Sequence, residues 1–512
     1  MAYRHQLAFV VAFSLPAALT AAHAQVIAVK SAPIADGGQF AFLPSANLGM
    51  GGLSIALADS SLDPFINPAK GTRLAGMRVF GSPTFFSVSR KAGGGLTLPV
   101  GMSNSSGAWF AQLVLGMQDM DRTGPDNGSN FLPPEVLSAN STTVVPTSTT
   151  SDDDASRQNN YVHGLVGRRF GRGLSVAASA SWWTLNIMDG VELYYPGSNG
   201  VRQHGEALDL RLGVLKELGA GHSFEVLALH NRLGMNQDVA FTDTFWDPTL
   251  RQFISQPRIE PNADRTDTWG LHLAYMRPLA DSTWRVGAIL TGNWIDQPRL
   301  PSYDLPEVPA DAGRAHAYNL GGGISRSTSP WTLGFDAIYE PIWSRTWVRA
   351  DQPTEARDGA TIETGGTTLE NQFHFHNGIA RLGFANTVPI SKDQTLRLEI
   401  GGQLRAIRYR LEQWDAVQQS ASASTQHWNE WTRTWGVSYR LAGASVDYRG
   451  SLTTGAGRPG FDEFNGNVFL VDRAAPVGIG GGGLRDVIPP FGLQFGKVRT
   501  TTHQISFSVP IR

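Results

Sequence analysis

Along most of this chain apolar and polar residues alternate one for one. In ALDLRLGVL, Leu208, Leu210, Leu212 and Val214 share one parity, and Asp209, Arg211 and Gly213 the other. QTLRLEIGGQLRA sets Leu396, Leu398, Ile400, Gly402, Leu404 and Ala406 against Arg397, Glu399, Gln403 and Arg405. TWRVGAILTGNW, PWTLGFDAIYE, GLSVAASASW, TWGVSYRL and the closing HQISFSVPIR behave alike, with Arg285 and Asp336 on the polar side of the first two. Side chains of an extended strand point to opposite faces in turn, so each segment predicts a two-faced strand. Segments of about ten residues with full charges on one face fit strands between lipid and a bore.

The connections sharpen this. Short turns fall at 171–173, 219–222, 278–282, 327–330, 391–394 and 442–444. Long connections fall near 120–160, 189–204, 236–264, 297–313, 346–371, 413–427 and 450–497. Short and long alternate, as in outer-membrane barrels with tight periplasmic turns and long outer loops. The pattern predicts an all-β transmembrane antiparallel barrel over 77–512, with about fourteen strands counted from AWFAQLVLGM at Ala108–Met117. An extra hairpin, VFGSPTFFSVSR with GLTLPVGM, makes sixteen the alternative. Tryptophans gather at segment ends, as in interfacial girdles: Trp182, Trp183, Trp269, Trp284, Trp294, Trp331, Trp343, Trp347, Trp428, Trp431 and Trp435.

Bulk properties prune the functions. A net charge of −2 leaves no footprint for nucleic acid. The chain has no cysteine, which removes disulfides, thiolate metal sites and cysteine catalysis. A basic start, an apolar run Leu7–Leu19 and Ala22-His23-Ala24 predict a signal peptide over 1–24 and a mature start at Gln25. His163, His230, His272, His316, His374 and His376 are scattered without a nucleophile motif, so no enzyme, no cofactor and no metal site is expected. His374 and His376 share a strand face and read as polar lining. Asp126–Asn130 and Asp152-Asp153-Asp154 lack full calcium-loop spacing and read as solvated turns.

Between the leader and the first convincing strand lies LGMGGLSIALADSSLDPFINPAKG, Leu48–Gly71. Small residues and turn formers suit a compact coil inside a bore that side chains alone would not fill. The stretch resembles the N-terminal hatch signature of the FadL family, outer-membrane transporters of long-chain fatty acids and related hydrophobic compounds such as toluene. The matching residues are Gly49, Gly51, Gly52, Ala56, Ala58, Asp59, Asn67, Pro68 and Ala69. Lys70 departs from the pattern, which has a small residue there; so do Asp59-Ser60, in place of an acidic pair, and the terminal Arg512, in place of an aromatic. The resemblance implies a hatch, here 25–76, folded inside the barrel of a monomer bedded in outer-membrane lipid. It also implies passive, hatch-gated uptake of a hydrophobic small-molecule ligand. Candidate lumen-lining residues are Asp209, Arg211, Arg285, Asp336, Arg397, Glu399 and Arg405, the arginines being expected to pair with wall acids. The alternative function is a non-transporting barrel that binds partners, or serves secretion or surface assembly, through its long loops.

Overall fold

The computed structural model describes residues 43–89, 93–121, 158–187, 200–219, 221–279, 283–297, 313–350, 352–459 and 495–511. The leader, the two acidic loop motifs and GIGGGG at 478–483 lie outside the described residues.

Sixteen antiparallel strands close into one barrel. They are β1 (Gly76–Gly81 and Thr84–Val88), β2 (Gly94–Ser106), β3 (Trp109–Asp121), β4 (Gln158–Phe170), β5 (Leu174–Leu185) and β6 (Gly200–Gly219). Next come β7 (His222–Asp247), β8 (Gln252–Pro278), β9 (Trp284–Gln297), β10 (Gly313–Ser327) and β11 (Trp331–Arg349). The rest are β12 (Thr367–Ser391), β13 (Gln394–Asp415), β14 (Ser420–Leu441), β15 (Ala444–Pro459) and β16 (Phe495–Ile511). Each strand pairs with its sequence neighbours, and β1 closes the ring on β16 with Gly81 opposite Phe507 and Thr84 opposite Gln504. Closure leaves no lateral sheet edge for lipid to meet, which a membrane sheet requires.

The count is sixteen because the extra hairpin is β1–β2. Its alternation is blurred for a physical reason: Pro83, which has no N–H to give, interrupts β1, yet the register on β2 and β16 continues unbroken across it. Two of the expected long loops are also strand. β7 and β8 run on to a turn at 248–251, and β13 and β14 to one at 416–419. On β7 the wall pattern reverses there, with Val239 and Phe241 inward and Asp238 and Thr242 outward, so the stretch does not read as a lipid-facing strand.

The face pattern is inverted relative to a soluble protein. Leu208 and Leu212 are exposed while Asp209, Arg211, Asp336 and Arg381 are among the most buried side chains. The exposed set continues around the wall through Leu113, Val166, Leu290, Phe335, Leu382, Ile400, Val437 and Ile505. A continuous apolar exterior of this extent marks a hydrocarbon-facing wall. Among the described residues no helix is long and apolar enough to cross a membrane. Most of the expected tryptophan girdle faces outward, including Trp182, Trp269, Trp294, Trp343 and Trp431. Trp183 and Trp428 do not: their parity turns them into the bore, Trp183 with buried Leu185 and Leu233, Trp428 against Phe375 and Ile407.

Candidate functional site: the filled bore and its apolar upper wall

Residues from Leu43 to Ala75 carry short pieces of structure: 3-10 turns at Leu48–Met50 and Pro68–Arg73 and a helical turn at Asp63–Ile66. Asp59 ties them together. Its carboxylate accepts from Ser45 Oγ (2.7 Å) and the backbone N–H groups of Ala46 (2.8 Å), Asn47 (3.1 Å), Ser61 (3.1 Å) and Leu62 (3.0 Å). Asn47 Nδ2 donates to the Leu53 and Ala58 carbonyls, closing the same knot. Asn67 caps the second 3-10 turn by accepting from Ala69 N–H, the side-chain-to-backbone bond that favours Asn before such a turn.

The segment meets inward-facing residues on opposite sides of the closed wall, and therefore lies within the bore. On one side Asp336 (β11) accepts from the Ser54 and Ile55 N–H groups at 2.8 and 3.2 Å. Arg381 (β12) donates to the Gly52 carbonyl at 2.9 Å, and Thr434 (β14) bonds both Gly49 O and Gly51 N at 2.9 Å. Opposite these, Arg211 (β6) donates to the Phe65 and Ile66 carbonyls at 2.9 and 3.0 Å while Asp209 holds its Nε at 2.6 Å. Glu225 (β7) takes Lys70 Nζ at 3.1 Å and Asn67 Nδ2 at 3.3 Å. The strands meet this segment with glycines. A Cβ on Gly383 (β12) would sit 2.6 Å from Met50 Cβ, and one on its cross-strand partner Gly401 (β13) 2.8 Å from Met50 Cα. Gly51 and Gly52 take φ of 74° and 72°, which L side chains adopt at a cost. Beside Phe65 the joint leaves a cavity of only about 10 Å³, room for one water.

The wall candidates all face inward. Arg397 donates to Glu399 at 2.7 Å and reaches Met50 Sδ, and Arg449 joins the same carboxylate at 3.2 Å. Arg405 pairs with Glu430 at 3.6 Å, and Arg285 is half-buried on the inward face of β9 beside Gly287. Asp209, Asp336 and Glu399 each hold an arginine, a backbone N–H or both. His163 and His272 face inward and are largely buried, whereas His230, His316, His374 and His376 lie on the outward parity. Sequence reasoning missed Glu225, Thr434 and the glycine seats. A signal existed for the last: Gly213, Gly287, Gly323, Gly383 and Gly401 fall on the polar parity of their strands, where nothing but a closely approaching chain asks for glycine.

Lys70 is the one cation shared by Asp63 (3.1 Å) and Glu225 (3.1 Å). Burial pushes the Asp63 carboxyl up to about 6 against the pull of Lys70, with Asp59 and Glu225 adding to the rise. Burial opposes the charge on Lys70, but Asp63 and Glu225 outweigh it and hold the ammonium above its usual value. A carboxyl raised in the seated state binds its proton more tightly there. Seating is thus strongest below about pH 4 and weakens as pH rises through 6, by roughly 3 kcal/mol at most. Protease cleavage within 43–75 should therefore be slower at about pH 5 than at about pH 7.5, and Asp63→Asn should abolish that difference. An equal difference in the variant would exclude Asp63 as its source.

Above these contacts, towards the long-connection end, the inward face changes character. One patch joins Trp183, Leu185, Ala207, Leu233, Met235 and Val239, with Phe65 of the N-terminal segment at its foot. A second joins Phe375 and Ile407 with Ile342, Phe373, Leu411 and Trp428, the rings of Phe373 and Phe375 stacked at 6.3 Å. These two patches share the upper bore with buried polar side chains such as Gln203, Gln237, Thr346 and Asn371, while Leu53 and Ile55 make apolar contacts at the seat itself.

No family model matches the chain, and no curated protein matches it. Solved structures do. A bacterial polysaccharide outer membrane secretin shares 8% identity over 85% of this chain and 99% of its own, with a TM-score of 0.39. The Ralstonia pickettii toluene transporter TbuX shares 10% identity over 92% and 100%, at a TM-score of 0.37. The Pseudomonas putida toluene transporter TodX shares 10% over 94% and 99%, at 0.35.

Proposed function

We propose that this chain is an outer-membrane channel through which hydrophobic small molecules, fatty-acid-like or aromatic, pass down their gradient, gated by the segment 43–75. The observation that carries this is the pair of apolar patches on the inner face of the upper bore. Aromatic and aliphatic side chains line an interior above a floor of paired charges. An apolar lining is wasted on ions or sugars and suits a solute that gains about 0.8 kcal/mol per CH₂ withdrawn from water. The hatch signature Gly49–Ala69 supports the same reading. In this mechanism the solute enters from the long-connection end, collects on the patches around Met235 and Phe375, and leaves when the segment shifts from its hydrogen-bonded seat. Each tie to the wall is a non-covalent bond of about 0.5–3 kcal/mol, so the seat can open without unfolding the barrel.

The test is transfer of a fluorescent fatty acid and of toluene into vesicles holding the purified chain. Met235→Asp and Phe375→Asp together should cut the rate at least about tenfold, since each places a charge in the apolar path. Transfer at the wild-type rate in that variant, or transfer no faster than in empty vesicles, would overturn the proposal.

A further inference from the structure

Two arginines on the outer wall are held in the same unusual way. Arg168, close to the end of β4, lies 5.4 Å from the ring centres of both Trp109 and Phe170. Arg326, near the end of β10, lies 5.3 Å from Trp284 and 5.0 Å from Trp331. All six residues sit at the short-turn end, where 107–108, 171–173, 279–283 and 328–330 join the strands. Arg168 pairs across the sheet with Trp109, and Arg326 with Trp284 on β9 and Leu333 on β11. The next outward residues, Val166 and Ile324, belong to the exposed apolar belt. Each guanidinium is thus fixed at the edge of the hydrocarbon.

Neither has a carboxylate partner among the described residues, and Arg326 Nε has no hydrogen-bond partner there. Two rings within 5.0–5.4 Å restrain each guanidinium, Arg168 being exposed and Arg326 half-buried with its Nε buried, so the paired terminal N–H groups are the edge each can present. Such an edge matches two oxygens of a phosphate. The aromatic rings, in turn, prefer the layer where acyl chains give way to headgroups.

We propose that these two arginine clips bind the phosphates of phospholipids in the periplasmic leaflet, one lipid per clip, on separate faces of the barrel. The site rests on the membrane-embedded wall and not on transport, so its failure would leave the channel reading untouched.

The test uses the full chain in a non-ionic detergent, titrated with phosphatidylglycerol and, separately, with diacylglycerol of the same chains, bound lipid being counted by native mass spectrometry. Two phosphatidylglycerols should be retained in preference to diacylglycerol. Arg168→Gln and Arg326→Gln should each remove one, weakening that site about tenfold, and the double variant should remove both. Trp109→Leu and Trp331→Leu keep the cation but free it, and should weaken binding by a smaller factor of about 2–5. Heat-modifiable migration checks that each barrel is folded; should an arginine variant fail that check, the two ring variants decide. Equal retention of diacylglycerol, unchanged lipid counts in the folded double variant or, where it does not fold, in the ring variants, or displacement of the lipid by millimolar inorganic phosphate would overturn the assignment.

Discussion

Gly383→Val should turn a closed barrel into a conducting pore. Gly383 and Gly401 are cross-strand neighbours on the inward face of β12 and β13, and the backbone of Met50 lies on both. Met50 itself is fully buried, with Arg397 on its sulfur. The valine side chain would begin 2.6 Å from Met50 Cβ and 2.8 Å from its carbonyl carbon, so the segment must lift. Overpacking of this kind costs about 1–3 kcal/mol, and here the movable partner is the segment, not the sheet. A shift of that size raises the open population about 5–150-fold. The measurement is single-channel current in a planar bilayer. Gly322→Val is the control: it lies on the opposite parity of β10, with nothing nearer than 4.0 Å to an added Cβ, and should stay silent. Silent behaviour of Gly383→Val, or equal currents from both variants, would mean that the segment does not close the bore.

That control also shows why so much of the wall was legible in the sequence. A strand between lipid and a polar interior has only one way to distribute its residues, so Leu208, Leu210 and Leu212 declare one face and Asp209 and Arg211 the other. Hydrocarbon tolerates no exceptions in its band. Above the band the constraint lifts, and there the reading failed: β7 turns Val239 and Phe241 inward and Asp238 and Thr242 outward, the reverse of the wall below, and a hairpin passed for a loop. The same loss of constraint hid Trp183 and Trp428, whose type suggests a girdle but whose parity puts them inside. Parity was the better guide. Of the interior site, the N-terminal segment stands out in the sequence because its glycines and Asn67-Pro68 have local conformational reasons. Its partners could not. Glu225 meets Lys70 across 155 positions of sequence, a pairing fixed by closure of the ring and by the height at which the segment docks, neither of which is local. Lys70, a departure from the hatch pattern, proved to be the residue that Glu225 and Asp63 share.

Asp59→Ala should dissolve the N-terminal segment while leaving the barrel intact. No other side chain in the segment holds so many of its parts. Alanine there would strip acceptors from the backbone N–H groups of Ala46, Asn47, Ser61 and Leu62 and from Ser45 Oγ. Asp59, Asn47 and Leu62 are buried while Ala46 and Ser61 are half-buried, so solvent does not replace the bonds lost by Asn47 and Leu62. At about 1–3 kcal/mol per stranded buried donor, the Asn47 and Leu62 N–H groups alone amount to roughly 2–6 kcal/mol. That exceeds what a short coil without its own core can spare. The wall bonds from Asp336, Arg381 and Arg211 then lose their targets, because they grip carbonyls and N–H groups that only the knotted segment holds in place. The sixteen strands keep their ladders, since none of their backbone bonds runs through Asp59. Hydrogen exchange reads both halves at once: amides of 43–75 should lose protection by about 10²–10³-fold or more, while those of β6, β12 and β13 hold theirs. Asp59→Asn, which retains one acceptor oxygen, should fall between. Unchanged protection over 43–75 in the alanine variant would show that the wall, and not Asp59, organises the segment, and the idea of a self-folded unit moving on and off its seat would go with it.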